Sequence, residues 1–154
     1  MFLIVASAAW AGELDGPWIR GIYTGSSPRP IPAAEQEAWQ QASELAESTP
    51  RSFVLVGSGC SMQPLYQPGT ILVLRQLPFD ELQRGQTVLY RNHQRKVVAH
   101  ILVSRTRDGW RAQGLNNATH DMEPVHTGNL VGIVVAAFKP AASASSPRFA
   151  AAAP

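Results

Sequence analysis

A mainly β domain, with an antiparallel sheet coiled or closed like a barrel and one α-helix before it, is the fold class this sequence predicts. Three observations carry the prediction. Beyond Pro50, short β-branched and aromatic runs alternate with turn residues about every ten positions. Only residues 33–48 repeat their apolar positions at helical spacing. The chain has 154 residues, 45% hydrophobic and 16% charged, which suits one globular domain rather than a disordered chain.

Taken in order, residues 1–11 (MFLIVASAAWA) are apolar, and Ala9-Trp10-Ala11 fits the small-x-small rule of a signal-peptide cleavage site. No Lys or Arg precedes the run, and it is shorter than the ~20 residues needed to span a bilayer. An export signal or clipped membrane anchor therefore stands beside a buried first strand or a misplaced start. An exported or membrane-associated location is slightly favoured over the cytoplasm, and membrane contact is left open. Residues 12–50 hold an irregular arm, with SSPRPIP as its break-rich part, and then the helix. Pro30 and Pro32 precede that helix, acidic residues occupy its first turn, Ala38/Trp39, Ala42 and Leu45/Ala46 recur along it, and Pro50 ends it.

Residues 51–139 carry six predicted strands: SFVLVG, GTILVLR, QTVLYR, KVVAHILVS, GWRAQG and NLVGIVVAAF. RTRDGWR reads as a hairpin turning on Asp108-Gly109. Residues 140–154, rich in Ala, Ser and Pro, read as a disordered tail. The net charge of +2 comes from 11 Arg and 2 Lys against 11 acids. Most of the arginines stand singly between apolar residues, so no nucleic-acid partner is expected. One cysteine excludes an internal disulfide. His120, Asp121 and His126 are irregularly spaced and lack cysteine partners, so neither a metal nor any other cofactor is expected.

Four pieces carry candidate chemistry: GCSMQP with Ser61, LQRGQTVLY, VVAHILV with His100, and GLNNATHD ending in Asp121. A serine hydroxyl attacks only when a base takes its proton. A neutral imidazole suits that task, and a carboxylate on its far nitrogen fixes the tautomer. Ser61, His100 and Asp121 supply one of each. A tight turn at Ser61 also offers backbone N–H groups to an oxyanion. Each residue has a plainer reading beside this one. Ser61 forms a turn, His100 fills a core position, and Asp121 caps a loop. Lys96 is the rival base, four residues before His100 and on its face if the strand extends that far. Asn116 and Asn117 are read as turn-holders. The pleat of an extended chain sends Cys60 to the core if Ser61 faces out. Met62 is a packing residue or, with Gly59, part of the substrate wall.

Together these pieces resemble the superfamily of type I signal peptidases and LexA-like self-cleaving repressors. GCSMQPLYQPGTILVL is similar to its Gly-x-Ser-Met-x-Pro box and LQRGQTVLY to its Gly-Asp-x-Val strand. VVAHIL resembles the His-bearing strand of the archaeal and endoplasmic-reticulum signal peptidases, QGLNNATHD the Gly-Asp-Asn-Asn box, and VGIVVAAF the closing strand. The resemblance covers about residues 53–138 and is nearest to the Ser-His members. It implies a coiled β peptidase domain that cleaves a bound, extended peptide after small residues. Ser61 would be the nucleophile, His100 the base and Asp121 its support. The implied partner is a peptide or protein substrate, signal-peptide-bearing chains among the options. Gln86 and Leu115 depart from the pattern, each standing where the family has Asp. Those losses keep open a peptide-binding module without cleavage. A self-cleaving regulator is a third reading, although no helix-turn-helix precedes the β part.

Overall fold

The computed structural model describes residues 14–141. The expectations for residues 1–11 and for most of the C-terminal tail fall outside that range. Two short strands, β1 (Trp18–Ile19) and β2 (Ile22–Tyr23), form a hairpin, and β3 (Ile31–Ala33) follows. Helix α1 (Glu35–Ser48) leads to β4 (Ser52–Val56) and β5 (Ile71–Arg75). A 3-10 turn, Phe79–Glu81, precedes β6 (Thr87–Arg91), β7 (Val97–Thr106), β8 (Gly109–Gln113) and β9 (Leu130–Pro140). All six expected strands are present, and the helix lies inside its expected span. The arm is more ordered than its composition suggested. It contributes the hairpin and β3, and Ser27 ties it to the sheet through Gly85 O (2.7 Å) and Thr87 Oγ1 (2.8 Å).

Strands β3 to β9 build one sheet in the order β4-β5-β9-β6-β7-β8, with β3 pairing in parallel along β9 and the other pairings antiparallel. Register shifts at Val73/Leu74, Leu89/Tyr90 and Leu102/Ser104 raise the local twist and coil the sheet. The aliphatic runs reflect strands buried on both faces. In β5, Leu72 and Leu74 enter a central cluster with Met62, Leu65 and Leu115, while Ile71 and Val73 turn to α1. In β6, Leu89 joins the central cluster, while Val88 and Tyr90 join a second cluster with Leu102, Trp110 and Val125.

Helix α1 buries Ala38 and Ala42 against β5 and β9, with Leu45 and Ala46 partly covered. Trp39 lies beside this stripe and is exposed. Glu35 and Glu37 oppose the positive end of the helix dipole. The β7–β8 hairpin turns one residue earlier than expected, on Arg107-Asp108. Gly109 is already the first residue of β8, at φ 139°, where a Cβ would lie 2.2 Å from Val125 O. Among the described residues, no helix is long and apolar enough to cross a membrane.

Two strand edges set up the site. β7 pairs with β6 over Val97–Ile101 but with β8 only from Ile101 onward. Among the described residues, its first four therefore pair with a strand on one side alone. β4 ends the sheet order, so its outer side takes no strand from this sheet.

Candidate active site

The segment carrying Ser61 is not an extended strand. β4 stops at Val56, and from residue 60 the chain folds into turns. Gln63 N–H donates to Cys60 O (3.2 Å) and Tyr66 N–H to Met62 O (3.0 Å). Strand alternation therefore fails there, and the expectation for Cys60 was wrong: its thiol is exposed. Met62 takes the inward position at 4% exposure, and Ser61 is half-buried. The turn is clamped from the opposite loop, where Asn116 N–H donates to Ser61 O at 2.7 Å. The Ser61 N–H donates to no acceptor among the described residues.

His100 lies in β7 opposite Val88 of β6 and is 7% exposed. Its Nε2 is 3.1 Å from Ser61 Oγ. Its Nδ1 is 2.5 Å from Asp121 Oδ2, so a neutral His100 with the proton on Nδ1 donates to the carboxylate and accepts from the serine. The three residues that the sequence singled out are thus brought together. Lys96 is not part of the set. It is exposed in the turn before β7, where its carbonyl accepts from Asn92 N–H (2.9 Å), while the imidazole occupies the place beside Ser61 Oγ.

Asp121 reaches His100 from an irregular loop pinned to β8. Asp121 N–H donates to Ala112 O (2.8 Å), and Val125 and Trp110 exchange two backbone hydrogen bonds of 2.8 Å. One contact was missed in the sequence: Tyr90 OH donates to the same Asp121 Oδ2 at 2.5 Å. A signal for it existed. If the β6–β7 pairing is known, Val88 opposes His100, and Tyr90, two residues on, is the diagonal neighbour on that face. The two rings meet edge-on at 6.4 Å between centroids. Burial raises the Tyr90 phenol well above its ordinary range, and the Asp121 carboxylate beside it and the Glu123 charge add to this.

The two departures have structural accounts. Leu115 is 1% exposed in the central cluster, so an aliphatic side chain fits its surroundings where a carboxylate would be stranded. Gln86 Oε1 accepts from Gln83 N–H (2.9 Å), a turn-holding bond that an amide oxygen makes as well as a carboxylate. Asn117 N–H donates to Gly114 O (3.0 Å), and Arg20 donates to Asn116 Oδ1 at 2.5 Å, so both asparagines hold the loop. Gly114 lets this loop approach the serine turn. A Cβ there would sit 2.9 Å from Ser61 O and 2.7 Å from Asn117 Nδ2. His120 Nδ1 (2.9 Å to Asp121 O) and His126 Nδ1 (3.1 Å from Gly128 N) are engaged with the loop's own backbone.

A cleft of about 210 Å³ opens beside Ser61. One wall is Leu55–Gly59, the other Val97–Ala99, and Met62, Leu72 and Leu89 contribute apolar surface. Both residues expected at a substrate wall, Gly59 and Met62, line it.

The family model Peptidase S24-like matches residues 21–135, which include every element from β2 to β8 and the whole site. The chain belongs to the Peptidase S24-like family. No curated protein matches the chain. Membership in the Peptidase S24-like family agrees with the mainly β architecture and places the chain in the LexA/signal-peptidase superfamily. It points to peptidase activity in general, as a serine peptidase or as a self-cleaving regulator of the LexA-like kind.

Proposed function

We propose that the protein is a serine endopeptidase of the signal-peptidase type, with Ser61 as nucleophile, His100 as general base and Asp121 as its support. The observation that carries this reading is the continuous chain from Ser61 Oγ through the imidazole to Asp121 Oδ2, at 3.1 and 2.5 Å. The substrate is an extended peptide lying between residues 57–59 and the free side of Val97–Ala99, as an added strand. The apolar cleft of about 210 Å³ suits short side chains before the cut.

In this reading Ser61 Oγ attacks the scissile carbonyl as His100 Nε2 takes its proton. Asp121 steadies the imidazolium, and the Ser61 N–H donates to the oxyanion. The C–N bond breaks as His100 returns the proton to the leaving amine, leaving an acyl ester on Ser61. Water then attacks the ester, its proton passing to His100 and on to the departing Ser61 oxygen. The test uses a peptide containing Ala-x-Ala with Ser61→Ala and His100→Ala proteins. Wild-type cleavage by both variants overturns the mechanism.

A second reading is carried by the family match: the same residues cut a segment of the same chain, as in a self-cleaving regulator. Mass measurement of the purified chain on incubation distinguishes the two. Loss of a terminal fragment, at a rate independent of protein concentration and absent in Ser61→Ala, favours this second reading.

A further inference from the structure

We propose that Tyr90 is a positioning residue for the acid of this site: its hydroxyl donates to Asp121 Oδ2 and holds the carboxylate against His100. The inference rests on the Ser61–His100–Asp121 reading above, and nothing in that reading requires the phenol.

Three features carry it. First, the loop bearing Asp121 is irregular and fixes the residue by its backbone, with Asp121 N–H on Ala112 O. That bond leaves the carboxylate free to rotate about its side-chain torsions. Second, Tyr90 is 1% exposed and packed in the cluster with Val88, Leu102 and Trp110, so its hydroxyl is held by a ring with little freedom. Third, Oδ2 accepts from two directions at 2.5 Å each, from His100 Nδ1 and from Tyr90 OH. Two convergent donors define the place of one oxygen better than one does. Leu115, where the resemblance would place another acid, brings no polar side-chain atom to the site.

The phenol also adjusts the chemistry. Burial and the adjacent carboxylate hold Tyr90 protonated far into the alkaline range, so it donates throughout any working pH. A donor on Oδ2 draws charge from that oxygen and weakens its pull on the His100 proton. Other charged groups near the pair remain in place when Tyr90 changes. Asp108, Arg111 and His120 share an outer recess with Asp121, and Glu123, 3.7 Å from His93, acts on Tyr90.

The experiment uses the full chain carrying Tyr90→Phe, which keeps the ring in the core. Peptide cleavage is expected to fall roughly ten- to a hundredfold in kcat with KM little changed, the scale of a small misplacement of catalytic groups. The acid limb of the kcat/KM profile is expected to move to higher pH, because the carboxylate freed of one donor favours the imidazolium more. The His100 ring titration, followed by NMR in both the wild-type and Ser61→Ala backgrounds, is expected to move the same way. Adding Tyr90→Phe to Asp121→Asn is expected to cause no further shift, because the phenol acts through that carboxylate. A His100 titration identical with and without Tyr90→Phe overturns the proposal, as does an equal shift in the Asp121→Asn background. The titration needs no turnover, so it judges Tyr90 even if Ser61→Ala shows that cleavage proceeds by another route.

Discussion

The sheet has two outer flanks, and they are closed in different ways. On the β5–β9 side, α1 lays Ala38 and Ala42 on Ile71, Val73 and Phe138, an apolar contact. On the β6–β8 side the cover is irregular chain, with Leu82 before β6 and Val125 after β8. There the buried surface includes Tyr90 and adjoins His100 and Asp121. A helix satisfies its own backbone and presents a repeating stripe, so it seals a sheet economically. A loop must find partners for its backbone groups, and in doing so can aim one carboxylate at one imidazole. The helical flank supports the sheet, and the loop flank positions the groups proposed to do the chemistry.

The largest test of that division is Asp121→Asn. If the loop flank serves catalysis, peptide cleavage falls about 10⁴-fold, the loss an acid-to-amide change behind a catalytic histidine brings elsewhere, with the melting temperature nearly unchanged. Next comes Leu115→Asp, which restores a carboxylate to that loop. Its place in the core predicts a stability loss of at least ~3 kcal/mol in urea unfolding and no gain in activity. A more active, equally stable variant breaks the account of Leu115. Gly114→Ala pushes on Ser61 O and Asn117 Nδ2, and costs about 1–3 kcal/mol together with a fall in kcat. Ala42→Leu overpacks the helical flank by a similar ~1–3 kcal/mol but leaves kcat per folded molecule unchanged; a matching fall in kcat erases the distinction between the flanks.

The smallest effect is alkaline. Tyr66, whose hydroxyl donates to Pro28 O (2.8 Å), is pushed up chiefly by burial, and Tyr90 by burial and then by Asp121. A phenol that titrates higher in the folded than in the unfolded chain stabilises the fold fully below the unfolded value of about 10, and that contribution is lost as pH rises beyond it. Urea midpoints should therefore drop above about pH 10, and the combined Tyr66→Phe/Tyr90→Phe protein should show a shallower drop.

Much of this was legible in the chain because it rests on short-range rules. The six strands follow from β-branched runs between turn residues, and α1 from the Ala38–Ala42–Leu45 spacing. Ser61, His100 and Asp121 stood out because the pieces that carry them follow one another in the order of a family pattern, each piece alone having a plainer reading. What failed depended on context. The Cys60 expectation assumed an extended backbone where turns stop the alternation. Local rules read Asp108-Gly109 as the hairpin turn, but the glycine serves a close approach to Val125 O and the turn falls one residue earlier. Tyr90 was missed because its role depends on the β6–β7 register and on where a loop thirty residues later returns, neither of which local pattern encodes.

Every other role at the site depends on His100 activating Ser61. A serine-reactive fluorophosphonate with mass mapping of the adduct reads that activation without a substrate. Labelling is expected on Ser61 in the wild-type chain, strongly reduced in His100→Ala and absent in Ser61→Ala. An unmodified Ser61, an adduct at Cys60 instead, or Ser61 labelling that His100→Ala leaves unchanged would contradict it.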